Sequence, residues 1–121
     1  MTVLAVAIAG ALGAPARYLV ERAISAHTAR RFPWGTLVVN ITGSLALGFV
    51  TGLALYHGLP STPKAVVGTG FIGAYTTFST YAYEVVDVDE RESARLAGSY
   101  AVVSAVAGVA AATLGLVLAA L

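Results

Sequence analysis

The stretch FPWGTLVVNITGSLALGFVTGLALYHGLPSTP, Phe32 to Pro63, holds 32 residues without one Asp, Glu, Lys or Arg. A helix crossing the hydrocarbon core of a bilayer needs about 20 mostly apolar residues. The stretch therefore holds one crossing with turn residues left over, and Gly58, Pro60 and Pro63 mark where those lie. Working outward, Ala65 to Tyr83 gives 19 uncharged residues and Leu96 to Leu121 gives 26. Toward the start, Thr2 to Ala16 is uncharged, and Tyr18 to Val20 carry the run past Arg17 to Glu21. Four transmembrane helices are predicted, roughly 2–24, 34–56, 65–83 and 95–120, in a single domain over residues 1–121. The fold class is an all-α integral membrane protein.

Composition agrees. Of 121 residues, 58% are hydrophobic and 11% charged, against about a quarter charged in a soluble domain. Mean hydropathy is +0.82. The net charge of +1 offers no basic footprint for nucleic acid. Cysteine is absent, which excludes disulfide frameworks, thiolate metal sites and cysteine nucleophiles. A membrane β-barrel would need many segments of alternating polarity, and the apolar runs here are continuous. The first segment has the small residues of a cleavage region, Ala9, Gly10, Ala11, Gly13, Ala14 and Ala16. No Lys or Arg precedes it, so the positive start of a signal peptide is missing, and it is expected to be retained.

The loops are short. The first carries Glu21, Arg22, His27, Arg30 and Arg31; the second runs from Tyr56 to Lys64; the third carries Asp87, Asp89, Glu90, Arg91, Glu92 and Arg95. His27 and His57 are expected to be solvated. Loops one and three hold five arginines against Lys64 in loop two, which places loops one and three in the cytoplasm by the positive-inside rule.

Small residues at close spacing let helix backbones approach within lipid. Gly48 and Gly52 form GxxxG on the second span; Ala9 with Gly13 and Gly108 with Ala112 repeat the pattern on the first and fourth. Ordinary packing within the chain is expected for each. Gly68-Thr69-Gly70-Phe71-Ile72-Gly73 matches GxGxxG by letter, but a dinucleotide fingerprint belongs to a strand–turn–helix unit. Inside an apolar span it reads as close packing.

Polar residues inside the spans carry the functional signal. Thr36 and Asn40 share one helix face, as do Asn40 and Ser44. The third span contains Gly73-Ala74-Tyr75-Thr76-Thr77-Phe78-Ser79-Thr80-Tyr81, where the helix is expected to break near its middle. Backbone freed at membrane depth must be buried in protein or line a cavity. A lone hydroxyl commonly bonds back to its own helix, but Asn40 needs several partners. No Asp or Glu lies at the centre of a span, whereas proton-coupled transport normally buries carboxylates. Neutral donors and the electropositive edges of aromatic rings suit an anion. No in-span His or Lys activates Ser44 or Ser79, so no enzyme is expected.

Three segments resemble the Fluc (CrcB) fluoride-channel family. They are Gly10-Ala11-Leu12-Gly13-Ala14-Pro15-Ala16-Arg17-Tyr18, Pro33-Trp34-Gly35-Thr36-Leu37-Val38-Val39-Asn40-Ile41-Thr42-Gly43, and Gly70-Phe71-Ile72-Gly73-Ala74-Tyr75-Thr76-Thr77-Phe78-Ser79-Thr80-Tyr81. The resemblance implies a passive fluoride channel in a prokaryotic cell membrane, relieving fluoride toxicity. It implies an antiparallel, dual-topology-type dimer with two pores and one structural sodium ion, Na+, on the two-fold axis. The backbone carbonyls of Gly73 and Thr76 would hold the sodium. Asn40, Thr36, Phe78, Ser79, Thr80 and Tyr81 would line the pore, and Arg17 and Glu84 would stand near its vestibules. The partner is a second copy or a paralogous subunit, which would explain the loop bias. The chain departs from the family at Ala74, usually Gly; at Tyr75, usually Leu; and at Tyr81, usually Phe. A small four-helix multidrug-type transporter would carry a carboxylate early in the chain, and none lies in the first 20 residues. A non-transporting membrane assembly subunit would need the packing glycines but not Asn40.

Overall fold

The computed structural model describes residues 1–121, and its regular structure is entirely helical. Helix α1 spans Thr2–Ser25 and α2 spans Trp34–Tyr56. A short α3, Ser61–Lys64, runs into a π-helical stretch, π1, Ala65–Ile72, and then into α4, Gly73–Tyr75. Helix α5 covers Ser79–Arg91 and α6 covers Ala94–Leu118. The start of α6 is fixed by Ser93, whose hydroxyl accepts the Leu96 N–H at 3.2 Å, as an N-cap should.

Three of these helices, α1, α2 and α6, are long and apolar enough to cross a membrane. The expected span 65–83 takes other bounds. Its helix starts earlier, at Ser61, stops at Tyr75 and restarts at Ser79. The expected third loop is also corrected. Asp87, Asp89, Glu90 and Arg91 are helical, because a run of polar residues that lacks Gly and Pro continues a helix readily in water. His57 is exposed, as expected, and also makes one bond within the chain. Its Nε2 lies 2.7 Å from the Ala119 carbonyl oxygen and ties the end of α2 to the end of α6.

The small residues do what their spacing predicts. A Cβ at Gly48 would overlap the Ala112 carbonyl, and one at Gly115 would overlap the Leu45 carbonyl and crowd the Phe49 nitrogen. Gly52 meets Ala119 and Leu116 in the same way. Thus α2 and α6 touch backbone to backbone. On the other side α1 packs against π1 and α4: Gly13 faces the Phe71 carbonyl and Gly70 faces Val6 and Ala9. The letters that match GxGxxG are therefore helix contacts.

Only 18 of 121 residues are buried. Val3, Leu4, Ile8 and Leu12 on α1, and Val102, Val106, Val109 and Leu114 on α6, are exposed. A water-soluble domain would fold these inward; a bilayer accepts them as they stand. The interior concentrates where α2, α5 and α6 meet, around Val39, Val88 and Tyr100.

Candidate functional site

The chain leaves its helix between α4 and α5. The Thr76 N–H donates to the Ile72 carbonyl at 2.9 Å. Thr76 then turns extended, with φ −78° and ψ 160°. The next amide, that of Thr77, donates to Asn40 Oδ1 at 2.8 Å, and Asn40 Nδ2 donates to the Thr77 carbonyl at 2.8 Å. One side-chain amide thus replaces both backbone bonds of a buried residue. That explains an asparagine within an apolar helix, since unpaired backbone groups are costly away from water.

Thr77 also starts the next helix. Its Oγ1 accepts the Thr80 N–H at 3.2 Å and donates to Thr80 Oγ1 at 3.0 Å. Ser79 Oγ lies 3.4 Å away. These bonds satisfy one of the amides that a helix start leaves free.

The interruption opens a groove of about 460 Å3 lined by Asn40, Ser44, Thr77, Phe78, Tyr81 and Ser104. Phe78 is 78% exposed on its rim, and its ring centre lies 5.8 Å from that of Tyr81. The Tyr81 phenol donates to the Ala101 carbonyl at 3.1 Å, so it presents no free donor to the groove. Ser104 Oγ is buried without a partner.

A second, polar cavity of about 280 Å3 includes Glu21, Arg30, Thr36, Glu84, Asp87 and Arg91 in its lining. Glu84 Oε1 accepts the Thr36 hydroxyl at 2.8 Å and its Oε2 accepts the Tyr100 hydroxyl at 2.8 Å. Further along α5, Asp87 accepts from Arg91 Nε at 2.9 Å, which holds its carboxyl below the ordinary value. Arg31 bridges to Glu92 at 3.0 Å, joining the two loops beside this cavity.

The residues singled out from the sequence therefore fall in three places. Asn40, Phe78 and Tyr81 share the groove, with Ser79 and Thr80 joined to it through Thr77. Thr36 and Glu84 are bonded to each other at the polar cavity, one helical turn from Asn40. Arg17 reaches the interruption from α1, with Nη1 3.4 Å from the Thr76 carbonyl oxygen. Gly73 lies there too, and its carbonyl lacks the usual donor four residues on because the Thr77 amide has turned to Asn40. Sequence reasoning missed Tyr100, Ser104 and Glu21. Tyr100 and Ser104 sit four apart on the last span, the same face signal that picked out Thr36 and Asn40. Glu21 was legible only as a loop charge, yet its Oε1 is buried and unpaired.

A family model described as "CrcB-like protein, Camphor Resistance (CrcB)" matches residues 4–116. The chain belongs to the CrcB-like family. Among similar proteins, "Fluoride-specific ion channel FluC 1" of Leifsonia xyli is 52% identical over 80% of this chain and 71% of that protein. "Fluoride-specific ion channel FluC 2" of Mycobacterium tuberculosis is 47% identical over 91% of this chain and 84% of its own length. A protein of the same name from Cutibacterium acnes is 44% identical over 98% of this chain and 97% of its own length. These CrcB-like relatives are bacterial, and with its membrane-crossing helices the chain is a multi-pass protein of a prokaryotic cell membrane.

Proposed function

We propose that the chain forms a passive, fluoride-selective channel that lets the membrane potential drive fluoride out of the cell, and that it is not an enzyme. The observation that carries this reading is the groove at Asn40, Phe78 and Ser104. It is lined by uncharged groups and lies open along one face, in a chain whose relatives are named fluoride-specific channels.

Residues 61–83 are read as the remaining crossing, interrupted at residues 76–78. The piece 61–75 is only roughly 20 Å long at helical rise, short of the roughly 30 Å of hydrocarbon. The uncharged start of α5, Ser79 to Tyr83, supplies the remainder. An open groove is half a conduit. An antiparallel dimer would close it twice, giving two pores.

Fluoride is strongly hydrated and gives up water only to other donors. Ser104 Oγ has no partner, and the Asn40 amide has a second N–H beyond the one given to Thr77. The rim ring of Phe78 offers an electropositive edge, which attracts an anion without holding it as a full charge does. The membrane potential then supplies about 2.3 kcal/mol per charge per 100 mV.

Sodium fits the interruption in its donor chemistry. The carbonyls of Gly73 and Thr76 are neutral oxygens released from the helical ladder, the kind of ligand a hard cation takes. One chain supplies too few, and the same pair from a second copy doubles the set. Arg17, close to the Thr76 carbonyl, is the cation that must share or cede that oxygen. When bound, sodium would take the lone pairs that these carbonyls no longer give to the helix, and would not be transported.

The test is fluoride efflux from liposomes holding the purified chain, read with a fluoride electrode beside a chloride control. Rapid fluoride efflux without chloride supports the channel and shows that one gene product suffices. Efflux only after adding a paralogous subunit supports a heterodimer. No efflux in either case overturns the reading. Within the same assay Tyr81→Phe is expected to conduct within about fivefold of wild type. The phenol's one bond goes to a carbonyl, and a single neutral hydrogen bond is worth about 1 kcal/mol. Complete loss of flux with normal assembly would count against this pore placement.

A further inference from the structure

We infer that Tyr75 is a positioning residue for the interruption, acting through a hydroxyl bond to Thr42. This rests on the sodium reading above. Helix α2 grips three successive residues of the departing chain. Asn40 takes both backbone groups of Thr77. Gly43 makes room for Thr76, whose methyl a Cβ there would overlap, and a Cβ there would also come within 3.3 Å of Tyr75 Cδ1. Thr42 lies 2.9 Å from the Tyr75 hydroxyl. The proton of that last bond can be assigned. Thr42 Oγ1 donates back to the Val38 carbonyl at 2.8 Å, so the phenol is the donor and Thr42 the acceptor.

Both hydroxyl protons are used within the protein, so neither is offered to an anion. The pair's effect is mechanical. Tyr75 is the last residue of α4, and the Gly73 carbonyl belongs to the same short turn. As the last turn of the helix that begins at Ser61, α4 has no further helical turn beyond it to hold its end. On the α1 side Ala74 packs against Gly10 and Gly13. The phenol, lying parallel to the Phe71 ring with centroids 6.1 Å apart, reaches across to α2 and fixes the rotation of that end. The direction of the Gly73 carbonyl follows from it.

The experiment uses the full chain with sodium chloride as probe. Two readouts are taken: the sodium-dependent gain in melting temperature over an equal concentration of N-methylglucamine chloride, and the sodium concentration giving half-maximal fluoride efflux. Tyr75→Phe and Thr42→Val are each expected to raise the half-effect sodium concentration roughly threefold to tenfold, the factor one neutral hydrogen bond is worth. The double variant should go no further than either single one. Thr42→Ser keeps the acceptor and should match wild type. Midpoints unchanged in both single variants, or effects that add in the double, overturn the latch while leaving the channel and its sodium intact. A wild-type protein that conducts fluoride but shows no sodium effect in either readout overturns the sodium reading and the latch with it. A sodium-dependent melting shift without fluoride flux, even after a paralogous subunit is added, overturns the channel reading alone.

Discussion

Asn40→Ala is expected to abolish fluoride efflux and to lower the stability of the fold on the order of 2–6 kcal/mol. The number follows from the two bonds lost. The Thr77 N–H and carbonyl are buried and have no other partner, and each unsatisfied group costs about 1–3 kcal/mol. No water in the hydrocarbon region takes Asn40's place. Asn40→Asp separates the two halves of the effect. It keeps the acceptor for the Thr77 N–H, removes the donor to the carbonyl and brings a charge into the groove. It is expected to fold better than Asn40→Ala and still fail to pass an anion. Thermal unfolding in detergent and efflux from liposomes, run on the same preparations, check both. Normal stability in Asn40→Ala would show that Thr77 finds other partners and that Asn40 does not hold the interruption open.

The second large effect lies at the contact between α2 and α6. Gly48→Ala combined with Gly115→Ala is expected to prevent assembly of a stable fold, with aggregation on size-exclusion chromatography. At both positions a Cβ would meet backbone of the facing helix, which cannot swing aside as a side chain does. The helices must separate, and every contact between α2 and α6 weakens with them. Overpacking of this kind typically costs about 1–3 kcal/mol per site. Gly98→Ala is the control, because nothing lies within 4 Å of a Cβ there. Its elution and melting should match wild type, or rise slightly from better helix propensity.

The fold was legible where one physical rule acts alone. Uncharged runs gave α2 as 34–56 because a bilayer sets both length and polarity, and α1 and α6 came within two residues of their bounds. The rule weakened where water takes over. Asp87 to Arg91 looked like a loop because they are charged, yet a helix can leave the membrane and continue in solvent. The early start at Ser61 was hidden for the converse reason: Pro60 and Pro63 signal a turn, and proline at the first turn of a helix is equally well placed.

At the site, residue type told more than spacing. Asn40 stood out as a side chain in need of partners, and it bonds both backbone groups of Thr77. What could not be read was who the partners are. Thr36 and Asn40 share a face, yet one bonds a carboxylate from α5 and the other a backbone segment. Tyr81 was expected as a pore-lining ring, and its phenol serves a carbonyl on α6. These pairings join residues 20 to 48 positions apart, and only the tertiary fold decides them.

The groove's open side has a genetic consequence. On the paired reading each pathway has walls from two chains, so a defect in one chain spoils conduits that a sound chain helps to build. When an inactive but well-folded variant is made alongside the wild type, fluoride tolerance should fall faster than the share of wild-type chains falls. Such an allele would behave as dominant, whereas one that merely fails to fold, such as the paired glycine variant, would behave as recessive.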